Sequence, residues 1–399
     1  MNILHTVSSL GKKSYGLGQI SMSLASTQSK LNFDVNVLSV DNSEEELLWS
    51  STKYNFPLEK IRNIQCSYSQ ILNKSKKNDF IYSLKDLSHI DIVHQHSLWG
   101  KHSLLLSEFR SRQIPYIVAP HGTLSPYALR NGLSSRIKKK IALNLYENEN
   151  LKKCSCLHAT SKQEVEDFRQ FGLRAPIAYI KNGISEAELS LTGSGFRFKE
   201  KYNIDKNKRI LLYLSRITPK KGLDMLLSAL NNLSALFNNW LLVIAGNDGN
   251  KYVKEVLQMI KDFQLQDKVV VIEPQFDQNK LDIFSAADFF ILPSYSEGAP
   301  MVILDSLSYG VPVITTKSSS WKDLEDFSCG YWADINLQSI ELALKNMLDL
   351  STDELKMMSR NSKRLIEMKY TWEIIAQDTL CLYNWLLDKG EKPGFIITD

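Results

Sequence analysis

The sequence has little cysteine, no long apolar run and no leader pattern. Its 399 residues contain five cysteines, and the one close pair, Cys154 and Cys156, has no second pair that would complete a metal site. No apolar stretch approaches the roughly 20 residues that a membrane-spanning helix needs. The first residues lack the charged and apolar regions of a signal peptide. We therefore expect a cytoplasmic protein with reduced, mostly buried thiols.

Charge is divided unevenly along the chain. Residues 1–185 hold 24 Lys/Arg and 15 Asp/Glu, a net charge of +9, whereas residues 186–399 hold 24 and 29, a net charge of −5. This asymmetry suggests that the first half faces an anionic partner, and ordinary surface scatter is the alternative. Nucleic acid is disfavoured as that partner, because the chain shows no recognised binding module and its pI of 8.5 is not extreme.

Short apolar runs alternate with longer helical patterns throughout. Many runs are continuous in Val, Ile and Leu, as is typical of parallel strands buried on both faces. This repetition predicts two doubly wound α/β domains, with a hinge at about 183–205. The tail from Thr371 through Leu387 is predicted to form one long helix. The predicted strands are Asn2–Val7, Asp34–Val40, Asp91–His94, Pro115–Ala119, Cys156–Ala159, Ile177–Ile180, Arg209–Leu214, Trp240–Ala245, Lys268–Ile272, Asp288–Leu292 and Pro312–Thr315.

A helix predicted in the second half is preceded by one carboxylate, Glu297, and contains another, Asp305. Pro300 suits a first helical turn and Gly310 suits the position just past a helix end, so a helix of about ten residues is predicted to start just after Glu297. Its first backbone N–H groups, at residues 299–302, would then form an anion site. Glu297 and Asp305 could each hold a ligand hydroxyl. The alternative is a charged loop followed by a buried helical aspartate.

A basic loop follows the predicted strand Arg209–Leu214. Loops at the carboxyl ends of parallel strands line the ligand crevice of such sheets. Arg216 can fork across two phosphate oxygens, Lys221 can add a point charge, and Gly222 permits close approach. A solvated basic turn is the alternative.

Histidines end two predicted strands of the first half. His94 and His96 follow one strand and His121 follows another, all on the crevice side of the sheet. A zinc pair, satisfied core histidines and polar contacts to a substrate all remain open for this set, with His121 the first choice for a substrate contact. Gly16 and Gly18, after the first strand, form half of a dinucleotide fingerprint without its full spacing.

Basic and apolar residues alternate over 136–145 at helical spacing. Arg136, Lys138, Lys139 and Lys140 flank Ile137, Ile141 and Leu145. Such a helix could rest on an anionic membrane surface or meet a lipid diphosphate, and a solvated helix face is the alternative.

Together these residues resemble the retaining nucleotide-sugar glycosyltransferases of family 4, which have the GT-B fold. The resemblance covers nearly the whole chain. Its most specific parts are Ser215-Arg216 with Lys220-Lys221-Gly222, the pair Glu297 and Asp305 with seven residues between, and Ile314-Thr315 after Val311-Pro312. The first half also looks like bacterial polysaccharide members in Pro120-His121-Gly122. The resemblance implies an α/β protein of two Rossmann-like domains facing across a cleft. They would be an acceptor domain, 1–185, with the C-terminal helix 373–390 crossing back onto it, and a donor domain, 186–372.

The resemblance also implies roles for single residues. Glu297, Arg216, Lys221 and His121 would be catalytic; Gly16, Gly18, Glu273, Pro274, Gly298, Ala299, Pro300, Met301, Val302 and Asp305 would bind the donor; and His96, Arg136 and Lys139 would lie on the acceptor side. No metal and no cofactor would be required. Two departures stand out: Asp305 replaces the usual Glu, and the first loop has Gly16 and Gly18 in place of adjacent glycines.

The expected activity is transfer of a sugar, with retention, from a nucleotide diphosphate sugar, UDP-sugar favoured over GDP-sugar. The acceptor would be a glycan or a polyprenyl-diphosphate-linked glycan in bacterial lipopolysaccharide, capsule or exopolysaccharide synthesis, with possible peripheral contact at the inner face of the plasma membrane. The rival interpretations are a GT-B nucleotide-sugar epimerase and a non-catalytic nucleotide-sugar-binding protein, and Asp305 is the feature that keeps the second one open.

Overall fold

The chain divides into two units, and its C-terminal segment belongs to the first of them. In the computed structural model, which describes residues 1–11, 16–65, 89–130, 133–247 and 252–398, the first unit comprises Met1–Gly183 and Trp372–Asp399, and the second comprises Ile184–Thr371. The first change of unit therefore falls two residues before the boundary predicted at 185/186. Each unit has its own buried apolar core.

The described residues form fourteen strands. In chain order these are β1 Asn2–Val7, β2 Asp34–Val40, β3 Ile61–Ile64, β4 Ile92–His96, β5 Tyr116–Ala119, β6 Cys156–Ala159, β7 Ile177–Tyr179, β8 Arg209–Leu214, β9 Trp240–Ala245, β10 Val269–Ile272, β11 Phe289–Leu292, β12 Val313–Thr316, β13 Gly330–Ala333 and β14 Ile396–Ile397.

Both sheets are wound in the same order. The first runs β3-β2-β1-β4-β5-β6-β7-β14, parallel except for the antiparallel edge strand β14, and the second runs β10-β9-β8-β11-β12-β13, all parallel. Strand order therefore reverses beside β1 and β4 in one unit and beside β8 and β11 in the other. In doubly wound sheets, ligands bind at the carboxyl ends of the strands at such points. The predicted α/β class with two Rossmann-like domains is confirmed.

Helices connect the strands of both sheets. They are Leu17–Lys30, Glu44–Tyr54, Leu106–Ser111, Pro126–Arg130, Leu133–Ala142, Asn148–Lys152, Lys162–Gln170, Glu186–Leu189, Gly195–Lys201, Leu223–Asn232, Tyr252–Asp262, Asp277–Ala286, Met301–Ser308, Asp323–Asp326, Leu337–Leu348, Thr352–Lys369 and Trp372–Leu386, with a π-helical turn at Leu143–Glu147. None of the helices in the described part of the chain has the length and apolar character to span a bilayer.

Three strands were missing from the sequence prediction. β3 has only its end residues Ile61 and Ile64 buried, because it lies at a sheet edge and lacks the continuous apolar run of a central strand. β13 begins with Gly330, where an added Cβ would lie 2.1 Å from the Val313 carbonyl oxygen. β14 spans only two residues. Edge position and short length explain why hydrophobic periodicity did not reveal them.

The cysteines behave as isolated thiols. Cys154, Cys156 and Cys329 are free and buried, and Cys381 is free and exposed. Burial raises the pKa of the Cys156 thiol to about 12. Cys66 lies outside the described residues.

Candidate active site

A buried ion pair lies at the point where the second sheet reverses its order. Lys221 ends the loop after β8, Glu297 lies in the loop after the neighbouring strand β11, and the Lys221 Nζ to Glu297 Oε1 distance is 2.5 Å. The two residues are only 8% and 9% exposed. Ser294 Oγ donates to the same carboxylate oxygen at 2.6 Å. The structure thus joins two residues that the sequence analysis assigned to separate tasks, the diphosphate and the sugar.

Backbone contacts hold these two loops together. Gly222 has a φ of +71°, and a Cβ at that position would lie 2.0 Å from the Pro293 carbonyl oxygen, so only glycine fits. The Tyr295 N–H donates to the Lys220 carbonyl at 2.9 Å. The close approach predicted for Gly222 is therefore to the neighbouring loop of the protein itself.

Arg216 stands in the same loop as Lys221 but is exposed to solvent. Its carbonyl accepts a hydrogen bond from the buried Tyr213 hydroxyl at 3.0 Å. This bond anchors the backbone of Arg216 and does not involve its side chain. No ion pair links the Arg216 guanidinium to another described residue. Of the two cations predicted to hold a diphosphate, Lys221 is therefore buried and Arg216 is accessible.

The helix beside Glu297 begins later than predicted. It spans Met301–Ser308, with Pro300 extended at the position before the first turn (φ −69°, ψ 110°). A residue that precedes proline is disfavoured in helical conformation, so Ala299 ends the possible N-terminal extension. Gly298, Ala299 and Pro300 thus form the approach to the helix, and Met301 and Val302 supply its first N–H groups. Gly310 (φ +73°) lies just past the helix end, as predicted.

Asp305 carries a partner that sequence analysis missed. Its carboxylate lies 2.7 Å from Lys280 Nζ, and Lys280 belongs to the helix Asp277–Ala286 of the same unit. The two residues are 25 positions apart in the sequence, with a strand between them, so no local pattern could have joined them. The second carboxylate of the motif is also held as an ion pair.

Glu273 and Pro274 follow β10, at the edge of the second sheet. The exposed Glu273 carboxylate accepts from the Tyr202 hydroxyl at 2.5 Å, which lowers the pKa of Glu273. The neighbouring Gln275 is buried and donates to the Glu273 carbonyl at 2.8 Å. Its Oε1 has no partner among the described residues.

In the first unit, seven hydrogen bonds connect buried side chains in series behind His121. We call this series the histidine chain. Its links are His121 Nε2–His96 Nδ1 (3.1 Å), His96 Nε2–His5 Nδ1 (2.9 Å), His5 Nε2–Gln28 Oε1 (2.8 Å), Gln28 Nε2–Tyr383 Oη (3.5 Å), Tyr383 Oη–His94 Nδ1 (2.7 Å), His94 Nε2–His158 Nδ1 (3.1 Å) and His158 Nε2–Ile180 O (2.9 Å). Strand β4 extends to His96, so His94 and His96 share one face of the sheet.

Burial keeps these rings uncharged. Desolvation lowers the pKa of His5 and of His158 to about 4 and that of His121 to about 3, and it holds the pKa values of His94 and His96 well below their usual range. The histidine chain is therefore a neutral polar network at pH 7.

Ring nitrogens of His5, His94 and His96 lie within 4.8 Å of one another, close enough for one metal ion to bind all three. Each of their six ring nitrogens already has a hydrogen-bond partner in the histidine chain. A metal would have to replace these bonds, so the geometry favours the hydrogen-bonded network.

The turn that carries His121 is held by the Glu164 carboxylate. His121 has a positive φ of 52°, and the next N–H, of Gly122, donates to Glu164 Oε1 at 2.5 Å. Ser161 caps the helix Lys162–Gln170 by accepting from the Glu164 N–H. The Glu164 carboxylate accepts from Thr160 and Gly122 and so positions the His121 turn.

The remaining predicted residues of the first unit differ in their surroundings. Gly16, with φ +98°, precedes the helix Leu17–Lys30 and Gly18 is buried in its first turn, while residues 12–15 of the same loop lie outside the described residues. Arg136 is exposed on the helix Leu133–Ala142. Lys139 donates to the Ala128 carbonyl at 2.6 Å, so its ammonium anchors a neighbouring helix.

Two family profiles match the chain. The profile "Glycosyl transferase 4-like domain" matches residues 80–183 and "Glycosyl transferases group 1" matches residues 196–365, which together exceed half of the sequence. The chain therefore belongs to the family 4 glycosyltransferases of the GT-B fold, of the bacterial polysaccharide type.

Individual proteins similar to this chain also carry glycosyltransferase names. An uncharacterized glycosyltransferase of Methanocaldococcus jannaschii is 24% identical over 363 residues, 90% of this chain and 91% of that protein. The lipopolysaccharide 1,2-N-acetylglucosaminetransferase of Salmonella typhimurium is 26% identical over 220 residues, 50% of this chain and 57% of its own length. HepE of Anabaena, solved in complex with UDP, has a TM-score of 0.74 at 18% identity, covering 95% of this chain and 98% of that one.

Proposed function

We propose that this protein transfers a sugar from a nucleotide diphosphate sugar, UDP-sugar favoured over GDP-sugar, to a glycan or lipid-linked glycan in bacterial surface polysaccharide synthesis. The observation that carries the proposal is the buried Lys221–Glu297 pair, at a sheet switch point and beside the exposed Arg216. Uridine is favoured because HepE, which has the same fold, binds UDP. The relative from Salmonella acts in lipopolysaccharide synthesis, which supports the acceptor class.

The proposed chemistry retains configuration and uses no covalent enzyme intermediate. The bond from the anomeric carbon to the diphosphate oxygen breaks, and a bond to the acceptor oxygen forms on the same face. The acceptor's proton passes to the departing diphosphate. Arg216, Lys221 and the N–H groups of Met301 and Val302 stabilise the charge on that leaving group. No step requires a metal or a cofactor.

Ion pairing explains how the donor site stays intact between turnovers. A buried ammonium without a partner is strongly destabilising, and Glu297 supplies that partner in the free protein. When a diphosphate arrives, Lys221 gains a second anionic partner and Glu297 becomes available to a sugar hydroxyl. Asp305, assigned to the ribose, is held by Lys280 in the same manner.

A basic helix supports peripheral contact with the membrane. Ile137, Ile141 and Leu145 are 55%, 52% and 62% exposed, and exposed Arg136 and Lys140 lie among them. Apolar side chains can enter the lipid boundary while cations meet anionic headgroups. A lipid-linked acceptor would be met at this surface, on the cytoplasmic side.

The activity is tested with a panel of uridine, guanosine and adenosine diphosphate sugars, following release of free nucleoside diphosphate. Slow release from one donor, lost in Glu297→Ala, supports the transferase, and analysis of the sugar product excludes an epimerase. Binding of one nucleotide without release under any acceptor condition would indicate a non-catalytic protein and contradict the proposal.

The membrane contact is tested by sedimentation with vesicles containing anionic lipid. We expect Ile137→Glu with Ile141→Glu to abolish binding without changing nucleotide release. A matched control is Leu257→Glu with Leu342→Glu, which alters exposed apolar residues of the second unit. Equal binding by both double variants would contradict the assigned surface.

A further inference from the structure

The direction of every hydrogen bond in the histidine chain can be assigned from its inner end. The Ile180 carbonyl only accepts, so His158 carries its hydrogen on Nε2. A neutral imidazole has one hydrogen, so His158 Nδ1 is a lone pair and accepts from His94 Nε2. His94 Nδ1 is then also a lone pair and accepts from the Tyr383 hydroxyl.

The same logic continues beyond Tyr383. The tyrosine hydrogen is committed to His94, so its oxygen accepts from the Gln28 amide nitrogen, and the Gln28 carbonyl oxygen faces His5 Nε2. His5 therefore donates through Nε2 and accepts at Nδ1 from His96. His96 in turn accepts at Nδ1 from His121 Nε2.

The opposite assignment of the hydrogens fails at the bond between His158 and Ile180. If every hydrogen were moved to the other end of its bond, His158 Nε2 would present a lone pair to the Ile180 carbonyl oxygen at 2.9 Å. Buried acceptors that face each other without a hydrogen are costly. One direction alone gives each close pair a single hydrogen.

We propose that the histidine chain fixes His121 as its Nε2–H tautomer, so that its Nδ1 lone pair accepts a hydrogen bond from a substrate hydroxyl, and that Tyr383 is the positioning residue that relays this direction from the Ile180 end to His121. The tautomer stands independently of the reaction, whereas the substrate hydroxyl rests on the proposed function. His121 is partly exposed, and its Nδ1 has no hydrogen-bond partner within the described part of the chain.

This arrangement restricts what can lie against His121. An acceptor nitrogen pairs with a hydroxyl and not with a carboxylate or a deoxygenated carbon. Bonds that run in one direction also polarise one another, which strengthens the terminal acceptor. A sugar that lacks the facing hydroxyl should therefore be a poor substrate.

The tautomers are measured directly by NMR of the whole protein with ¹⁵N-labelled histidine at pH 7, without substrate. We expect His5, His94, His96, His121 and His158 all to show a protonated Nε2 and an unprotonated Nδ1, with each resonance assigned by its loss in the corresponding His→Gln variant. A protonated Nδ1 at His121 or at any other member would overturn the proposal.

Tyr383→Phe tests the positioning role. Without the hydroxyl, the Gln28 amide loses the hydrogen bond that fixes its orientation. We therefore expect His5, His96 and His121 to become mixtures of tautomers. We expect the donor KM to rise roughly tenfold, the loss of one hydrogen bond, with a smaller change in kcat.

The matched control is Tyr116→Phe, which removes another buried tyrosine hydroxyl of the same unit, one that donates to the Asn150 carbonyl and not to the histidine chain. It should leave tautomers and KM unchanged. A single His121 tautomer in Tyr383→Phe, or an equal effect of both variants, would overturn the role of Tyr383. If Tyr383→Phe does not fold, the spectrum of the unaltered protein still decides the tautomer. An incorrect donor assignment would leave the tautomers as expected, so the two proposals fail separately.

Discussion

In the second unit, the charged side chains of the candidate site form ion pairs. In the first unit, the histidine chain consists of uncharged rings linked in series. Lys221–Glu297 and Lys280–Asp305 bring opposite charges together at the carboxyl ends of one sheet. At the same end of the other sheet, the histidine chain contains no charged member. Under the proposed function, the ion pairs would suit a diphosphate and the uncharged rings would suit sugar hydroxyls. A diphosphate needs charge opposite to its own, and sugar hydroxyls need neutral groups whose hydrogens have fixed positions.

The largest effect should come from removing the exposed cation of the charged unit. We expect Arg216→Ala to lower the rate about a thousandfold, because a charge that stabilises the leaving diphosphate is lost. Its melting temperature should stay near that of the parent, since the side chain is exposed. Arg360→Ala, an exposed arginine on the helix Thr352–Lys369, is the control. An unchanged rate in Arg216→Ala would refute the phosphate assignment.

Breaking the buried ion pair should affect both activity and stability. Glu297→Gln keeps the shape but leaves the Lys221 ammonium without a counter-charge, so we expect about 3 kcal/mol lower free energy of unfolding and roughly a hundredfold lower rate. Chemical denaturation and nucleotide release measure the two effects. Glu367→Gln, on an exposed face of the helix Thr352–Lys369, should change neither. Loss of activity with unaltered stability would show that the pair is not buried in solution.

Acid should weaken the first unit selectively. All seven histidines lie in its sequence, and none lies in the second unit. Because burial lowers the folded pKa values of the five histidines in the histidine chain, the unfolded chain binds more protons below the ordinary histidine pKa of 6.5, so stability falls as pH drops from 6.5 towards 4. Each excluded proton contributes about 1.4 kcal/mol per pH unit.

Hydrogen-exchange protection factors at pH 7 and pH 5 report this difference by region. Peptides from β4 to β6 should lose protection while peptides from β8 to β12 keep theirs. Equal loss in both units, or greater protection at pH 5, would contradict the neutral assignment of the histidine chain.

The smallest expected effect is that of removing metal. Because the six nitrogens of His5, His94 and His96 are already hydrogen-bonded, we expect EDTA to leave the rate within about twofold and the melting temperature unchanged. Elemental analysis of the purified protein completes the measurement. A stoichiometric transition metal whose removal lowers activity would show that the histidines bind a cation instead of one another.

Much of the fold could be predicted from sequence because its central strands are buried on both faces. The bounds of β1, β2, β6, β8 and β9 agree with prediction to the residue, since each is rich in buried apolar residues. Strands β3, β13 and β14 were missed because edge strands and short strands carry a weaker apolar pattern. The helix after Glu297 was placed too early because Pro300 was assigned to its first turn.

Site residues could be predicted where they lie next to a predicted strand or helix. Lys221, His96 and His121 were chosen because each follows a strand, and Glu297 because it precedes a helix. Their actual partners depend on which strands are neighbours, and no local spacing encodes that. Lys280 and Tyr383 show the limit most clearly, because each meets its partner across long stretches of chain.

The return of the segment from Trp372 to the first unit has a consequence for synthesis on the ribosome. The first unit is complete only when residues 372–397 have been made, because they supply the helix that carries Tyr383 and the edge strand β14. The second unit, encoded between the two pieces, is continuous and can fold as soon as it emerges. The first sheet must therefore wait, with its edge strand β7 unpaired and its buried histidines open to solvent, until residues 372–397 have been added.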